Sequence, residues 1–210
     1  YQEGENKFYY ITTMNENYQQ PAMPEGVEAD IIQGMYCLKR ASGQHEKTVS
    51  LLGSGTILRE VEAAARILEE DYQVAADIWS MTSVNELQRE GKAAQRWNML
   101  HPEEEPRVPF VTRQLQGQPG PVIAATDYMK SYTDQIREFV PGAFTVLGTD
   151  GFGRSDTREK LREFFEVSRQ FIVLAALKAL ADEGKLEAAR VTEAMKALGI
   201  PANKVDPLTV

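Results

Sequence analysis

The feature that most constrains this chain is a repeated pairing of a short apolar strand with a glycine-marked exit that leads into a striped helix. The clearest instance is Leu147-Gly-Thr-Asp-Gly-Phe-Gly-Arg-Ser-Asp156, which leaves an apolar stretch at 144–147 and enters a predicted helix over 157–166. A second is Gly53-Ser54-Gly55, between a predicted strand at 48–52 and a helix over 57–70 in which Ile57, Leu58, Val61, Ala64, Ala65 and Leu68 recur at helical spacing. Further strands are predicted at 74–81 and 121–125, and further helices at 84–98, 109–115, 128–140, 169–183 and 187–198. Such alternation demands crossover connections and a mostly parallel sheet covered on both faces.

A strand at 34–40 joins the one at 48–52 through a short polar turn at 42–46, so the two are predicted to run antiparallel. The expected fold class is α/β: a three-layer α/β/α sandwich around a mostly parallel five-stranded sheet with one antiparallel strand. Asp156, with Glu159 three residues on, fits a capping box for the helix at 157–166. Gly184 and Gly199 stand where helix C-terminal caps favour glycine.

The first residues read differently. The chain begins without Met, inside a predicted strand at 8–12, and then runs through a polar, proline-bearing stretch from Asn15 to Pro24. Residues 1–18 are therefore expected to be the end of a preceding domain, 19–33 a linker with a short helix over 25–33, and 34–210 the domain proper.

Composition narrows the class. With 42% hydrophobic and 26% charged residues in 210, the chain has the makings of one good core. A net charge of -8 argues against nucleic acid as a partner, because such binding rests on clustered Lys and Arg. No apolar run reaches the roughly 18 residues needed to cross a bilayer, so no membrane partner is expected and the cytoplasm is the expected location. The lone Cys37 and two histidines cannot complete a closed Cys/His zinc site.

No motif carries catalysis by itself, and the expected catalytic and metal-ligating sets are empty. Gly53-Ser54-Gly55-Thr56 has the placement of a phosphate cradle but lacks the third glycine of a dinucleotide fingerprint, Leu58 standing there, and the lysine of a phosphate loop. Ser54 lacks the Gly-x-Ser-x-Gly setting of a hydrolase nucleophile. In the later loop, Gly148, Asp150, Gly151, Phe152, Gly153 and Arg154 are expected to be structural, with Phe152 an apolar anchor and Arg154 paired to a carboxylate. Trp97 and His101, at a predicted helix end, are candidates for an interface. Cys37 is expected in the core.

Together with Met14-Asn-Glu-Asn-Tyr18, Pro24-Glu-Gly26, Leu51-Leu-Gly-Ser-Gly-Thr56 and Arg96-Trp-Asn-Met-Leu-His-Pro102, the 147–156 loop resembles the C-terminal domain of transketolase-like, thiamine-diphosphate-dependent enzymes. Within that superfamily the likeness is to homodimeric pyruvate dehydrogenase decarboxylases. The resemblance implies that thiamine diphosphate and magnesium bind outside this fragment, between preceding domains. It implies that the full-length protein decarboxylates pyruvate and reductively acetylates lipoyl groups, and that the fragment itself is an inactive scaffold and dimerisation domain. Its implied partners are the preceding domains of the same chain, a second copy, and the dihydrolipoyl acetyltransferase core. In sugar-phosphate transketolases the stretch matching 14–18 carries an arginine that binds substrate phosphate. Asn15 takes its place here, so Asn15, Glu16 and Asn17 are candidates to line a substrate channel. A second reading is a free-standing α/β module that binds a small anion at its glycine-rich loops.

Overall fold

The computed structural model describes all residues except 1, 12, 14–16, 42–44 and 119. Five strands, β1 (Met35–Lys39), β2 (Lys47–Gly53), β3 (Val74–Met81), β4 (Val122–Ala125) and β5 (Phe144–Leu147), form one sheet in the order β1-β3-β2-β4-β5. β2 pairs in parallel with both β3 and β4, and β4 pairs in parallel with β5. β1 is the one antiparallel strand, as expected, but its partner is β3 and not β2. The short loop suggested a hairpin; the structure places β3 between them, since β2 finds a parallel neighbour on each side.

Among the described residues eight α-helices accompany the sheet: α1 (Glu28–Gln33), α2 (Leu58–Tyr72), α3 (Val84–Leu100), α4 (Phe110–Leu115), α5 (Lys130–Asp134), α6 (Arg158–Phe164), α7 (Arg169–Asp182) and α8 (Ala188–Ala197). Strand side chains alternate cleanly between two cores. Val49, Leu51, Val74, Ala76, Ile78 and Ile123 pack with the stripes of α2 and α7. Leu52, Trp79, Met81, Val122, Ala124 and Phe144 pack with Leu87, Phe110, Val111 and Phe139 on the other face. The period of two in strands and near four in helices thus builds the three-layer sandwich.

Three local expectations are corrected. The helix foreseen over 128–140 is broken into α5 and a 3-10 turn, Arg137–Phe139. Its cause is visible in Thr133 and Ile136, both fully buried, whose neighbouring backbone tightens to i→i+3 bonds. The cap of α6 is Thr157, whose hydroxyl accepts from the Lys160 amide at 3.4 Å, while Asp156 accepts from Thr157 N at 2.7 Å; no reciprocal box forms, because Lys160 at the third helical position carries no side-chain acceptor. Residues 8–11 form no strand and Phe8, Tyr9, Tyr10 and Ile11 are exposed, because no neighbouring ladder is there to satisfy an isolated strand. The turn foreseen at 42–46 falls partly outside the described residues. Cys37 is half-buried, packed against the second core, and burial pushes its thiol pKa up.

A buried ion cluster pins α2 to the last third of the chain. Glu60 sits on the apolar stripe of α2, between Ile57 and Ala64, and is 4% exposed. Its carboxylate accepts from Arg169 N (3.0 Å), Arg169 Nε (2.9 Å), Arg169 Nη2 (3.0 Å) and Arg162 Nη1 (3.0 Å). Burial alone raises the Glu60 pKa, but the hydrogen bonds from Arg169 and the charges of Arg169 and Arg162 outweigh it and hold it below the ordinary glutamate value.

Two outcomes are expected. Gly91→Ala gains about 1 kcal/mol of helix propensity, but its methyl would run into the Phe139 ring. The clash wins, so urea unfolding should show a net loss of about 1–2 kcal/mol; a stabilised variant would show that Phe139 yields freely. Glu60→Gln leaves two guanidiniums short of their counter-charge. It should cost about 2 kcal/mol at pH 7, less than the about 3–5 of a fully buried pair, because the Arg169 side chain is 43% exposed. The depressed folded-state pKa means that this increment is present above the unfolded value, about 4.3, and lost as pH falls through the folded value. The gap between wild type and variant should therefore narrow on acidification below about pH 4.3.

Candidate functional site

The carboxyl ends of the parallel strands bring together the loops singled out by their glycines. β2 exits to α2 on one face of the sheet, and β4 exits to α5 on the other. The crevice between them is a topological switch point, the place where open α/β sheets hold ligands or partners.

These loops are laced to one another. Ser54 N donates to Ala125 O at 3.3 Å, and the Ser54 hydroxyl donates to Thr126 Oγ1 at 2.8 Å in a buried setting. Thr126 Oγ1 in turn accepts from Tyr128 N at 3.2 Å. Thr149 N donates to Tyr128 O (2.9 Å) and its hydroxyl to Asp127 O (2.6 Å). Lys130 N donates to Asp150 Oδ1 at 2.9 Å, with Lys130 Nζ 4.0 Å from Asp150 Oδ2.

The glycines permit this closeness. A Cβ on Gly148 would lie 2.7 Å from Tyr128 O, and Gly151, at φ +98, abuts the Pro207 carbonyl. Gly53 leaves room for Leu58 against the strand end, whereas Gly55 takes φ +54. Gly153 faces open space. Close backbone approach thus accounts for Gly53, Gly148 and Gly151, and Ser54 is committed to Thr126.

Phe152 and Arg154 depart from expectation. Phe152 is 81% exposed; flanking glycines let the loop turn it outward, so it anchors nothing within this chain. Arg154 pairs with no carboxylate among the described residues, and its guanidinium lies over the Phe164 ring at 4.5 Å instead. Tyr128 and Met129, on the loop laced to the one that carries Phe152, are exposed as well, and so is Leu208, in the C-terminal turn beside Gly151; together they make an apolar crest. A cavity of 340 Å³ lies beside it, lined in part by Thr56, Asp127, Thr149, Arg154 and Arg158.

Trp97 and His101 lie elsewhere, at the end of α3. Their rings stack at 4.4 Å between centroids, and His101 Nδ1 is 2.8 Å from Trp97 O, which fixes the proton on that nitrogen if the bond is made. Arg107 covers Trp97 at 4.1 Å, held by Asn98, which accepts from Arg107 N at 2.8 Å. Met99 and Leu100 are exposed beside them. Asn17 is exposed, and Asn15 and Glu16 lie outside the described residues. Among the described residues no group of three His, Cys, Asp or Glu is placed to hold a metal ion. No helix among the described residues is long and apolar enough to cross a membrane.

What the sequence reading missed is the Glu60–Arg162–Arg169 cluster. The signal was present: a glutamate within an apolar stripe has to find a counter-charge.

If the lacing sets the crest, Gly148→Val should drive its side chain into Tyr128 O and the Lys130 backbone and part the two loops. A loss of about 2–3 kcal/mol in urea unfolding is expected; unchanged stability would show that the loops are not tied.

A family model described as the transketolase-like TK C-terminal domain matches residues 34–168. The chain is 56% identical over 99% of its length to the pyruvate dehydrogenase E1 component of Pseudomonas aeruginosa, of which it covers 24%. It is 53% identical to that of Cupriavidus necator over 100% of the chain and 24% of the relative, and 51% identical to that of Escherichia coli K12 over 97% and 23%. The chain thus spans about a quarter of the length of the curated relatives it matches. Among solved structures, the transketolase of Leishmania mexicana aligns with 75% of this chain and 20% of its own, at TM-score 0.51 and 14% identity, a likeness of fold. The family model covers well over half of the 210 residues, and the chain belongs to the transketolase-like C-terminal domain family.

Proposed function

We propose that this chain is the scaffold and docking domain of a pyruvate dehydrogenase decarboxylase component. In this reading the full-length protein decarboxylates pyruvate and passes the acetyl group reductively to lipoyl groups of a dihydrolipoyl acetyltransferase core. It acts as a cytoplasmic homodimer, feeding glycolytic carbon into acetyl-CoA. Residues 1–18 belong to the preceding domain and 19–33 to the linker.

In this reading thiamine diphosphate and magnesium bind outside the described residues. The strand-exit turn commits its hydroxyl to Thr126, and the described residues offer no cluster of metal-binding side chains. The cofactor site is assigned to the preceding domains, and this chain contributes position.

The observation that carries the reading is the crest. Tyr128, Met129 and Phe152 stand out from loops whose backbones are already hydrogen-bonded to each other, and exposed Leu208 lies beside Gly151. A rigid apolar surface at a switch point is a docking face, and the chain spans only about a quarter of its relatives. Trp97 and His101, with exposed Met99 and Leu100, form a second candidate contact, for the other subunit.

Phe152→Asp tests this. Because the side chain is exposed, the melting temperature of the 210-residue chain should stay unchanged. In the full-length protein the same change should remove about 1.5–3 kcal/mol of apolar burial, lowering the melting temperature and pyruvate decarboxylation in the presence of thiamine diphosphate. Equal behaviour of variant and wild type in the full-length protein would contradict the docking role. Asn15→Arg in that protein should raise the KM for pyruvate if residues 15–17 line the channel; unchanged kinetics would remove them from it.

A further inference from the structure

We propose that the arginine-lined cavity against α2 binds the phosphate of a phosphorylated small molecule whose organic part lies in the adjoining cavity. The first cavity, of 280 Å³, lies where α2 meets the α6–α7 junction and is lined by Arg59, Arg66, Arg162 and Arg169 with Glu60 and Glu62. In a chain of net charge -8, this gathers guanidiniums in excess of carboxylates within one small space.

The clamp on Glu60 makes these charges available and orients them. Arg162 gives Glu60 one hydrogen bond from Nη1, and the Arg169 side chain gives two, from Nε and Nη2. Each guanidinium has five N–H donors, so both keep donors that Glu60 does not take. Within the first cavity one carboxylate stands between these two arginines, and Glu159, which lines the adjoining cavity, also acts on Arg169. Arg59 and Arg66 add their charges, and neither has a carboxylate within ion-pair distance among the described residues; Arg59 is steadied by the Tyr18 ring, 4.2 Å from its guanidinium carbon. Guanidinium forks arriving from α2, α6 and the first residue of α7 suit the several oxygens of a phosphate.

The second cavity shares Glu60, Arg162 and Arg169 with the first and measures 630 Å³, within the range of about 300–1,000 Å³ common for small-molecule sites. Phe171, Leu198, Ile200 and Pro201 give it an apolar wall, Ser168 and Gln170 offer neutral polar groups, and Glu159, Glu163 and Lys204 add charged ones, so the phosphate is assigned to the first cavity and the uncharged part of the ligand to this one. A charged lobe joined to a larger, partly apolar one is the shape of a site for an organic phosphate. This places anion recognition on α2 and α6–α7, away from the glycine turns that the second sequence reading favoured.

The test is calorimetry on the full-length protein saturated with thiamine diphosphate and magnesium, so that a cofactor phosphate site is already filled. The probes are AMP, inorganic phosphate and adenosine. AMP should bind saturably at millimolar or lower concentration, phosphate more weakly and in competition with it, and adenosine at least tenfold more weakly than AMP. Arg66→Glu and Arg59→Ala, both at exposed positions, should weaken AMP about tenfold or more while leaving the melting temperature unchanged. The proposal is overturned if AMP gives no saturable heat, if either variant binds it as wild type does, or if adenosine matches AMP. Phosphate binding as tightly as AMP would overturn the two-cavity form. A variant that melts early is replaced by Arg66→Gln, judged by the same criterion.

Discussion

The whole arrangement depends on β2 being buried from both sides. Val49 and Leu51 enter the core under α2 and α7, while Leu52 enters the one under α3 and α4. The strand has parallel neighbours on each flank, which requires crossovers and puts the exits of β2, β3, β4 and β5 at one edge. The exits after β2, β4 and β5 are therefore crowded together, and their glycines and hydroxyls resolve the crowding by hydrogen-bonding loop to loop. The apolar crest on these loops is a consequence of that geometry: backbone groups are consumed internally, and the side chains at Tyr128 and Phe152 are left pointing away.

Much of this was legible in the sequence, for a physical reason. Helical stripes such as that of α2 and runs such as 74–81 carry their burial pattern within a few residues of each other, so local periodicity exposes them. The glycine turns were equally readable, because positive φ and close backbone approach admit few other residues. Strand order was not. That β1 lies against β3 depends on competition between distant partners, and a short loop is a poor guide when β2 has two better ones. The break of the helix after β4 was hidden as well, since it follows from tertiary burial of Thr133 and Ile136.

The candidate sites divide in the same way. Residues whose role is to let backbone pass, such as Gly53, Gly148 and Gly151, behave as their type suggests. Residues whose role depends on what surrounds them do not: Phe152 faces out, Arg154 takes an aromatic ring in place of a carboxylate, and Glu60 turns inward to two arginines. Those partners lie about a hundred positions along the chain, beyond any local pattern. The same cluster fixes the last third of the chain to α2 and shapes the two cavities beside it, so a single buried carboxylate links packing with the charge of a surface.

The central claim is that the strand-exit loops form a docking face that is rigid before anything docks. Native-state hydrogen exchange of the Thr149 and Lys130 amides in the 210-residue chain measures this most directly. Both donate to partners on the neighbouring loop, and the account requires them to exchange slowly, on the scale of the sheet amides of β4. Exchange as fast as that of residues 8–11 would contradict it.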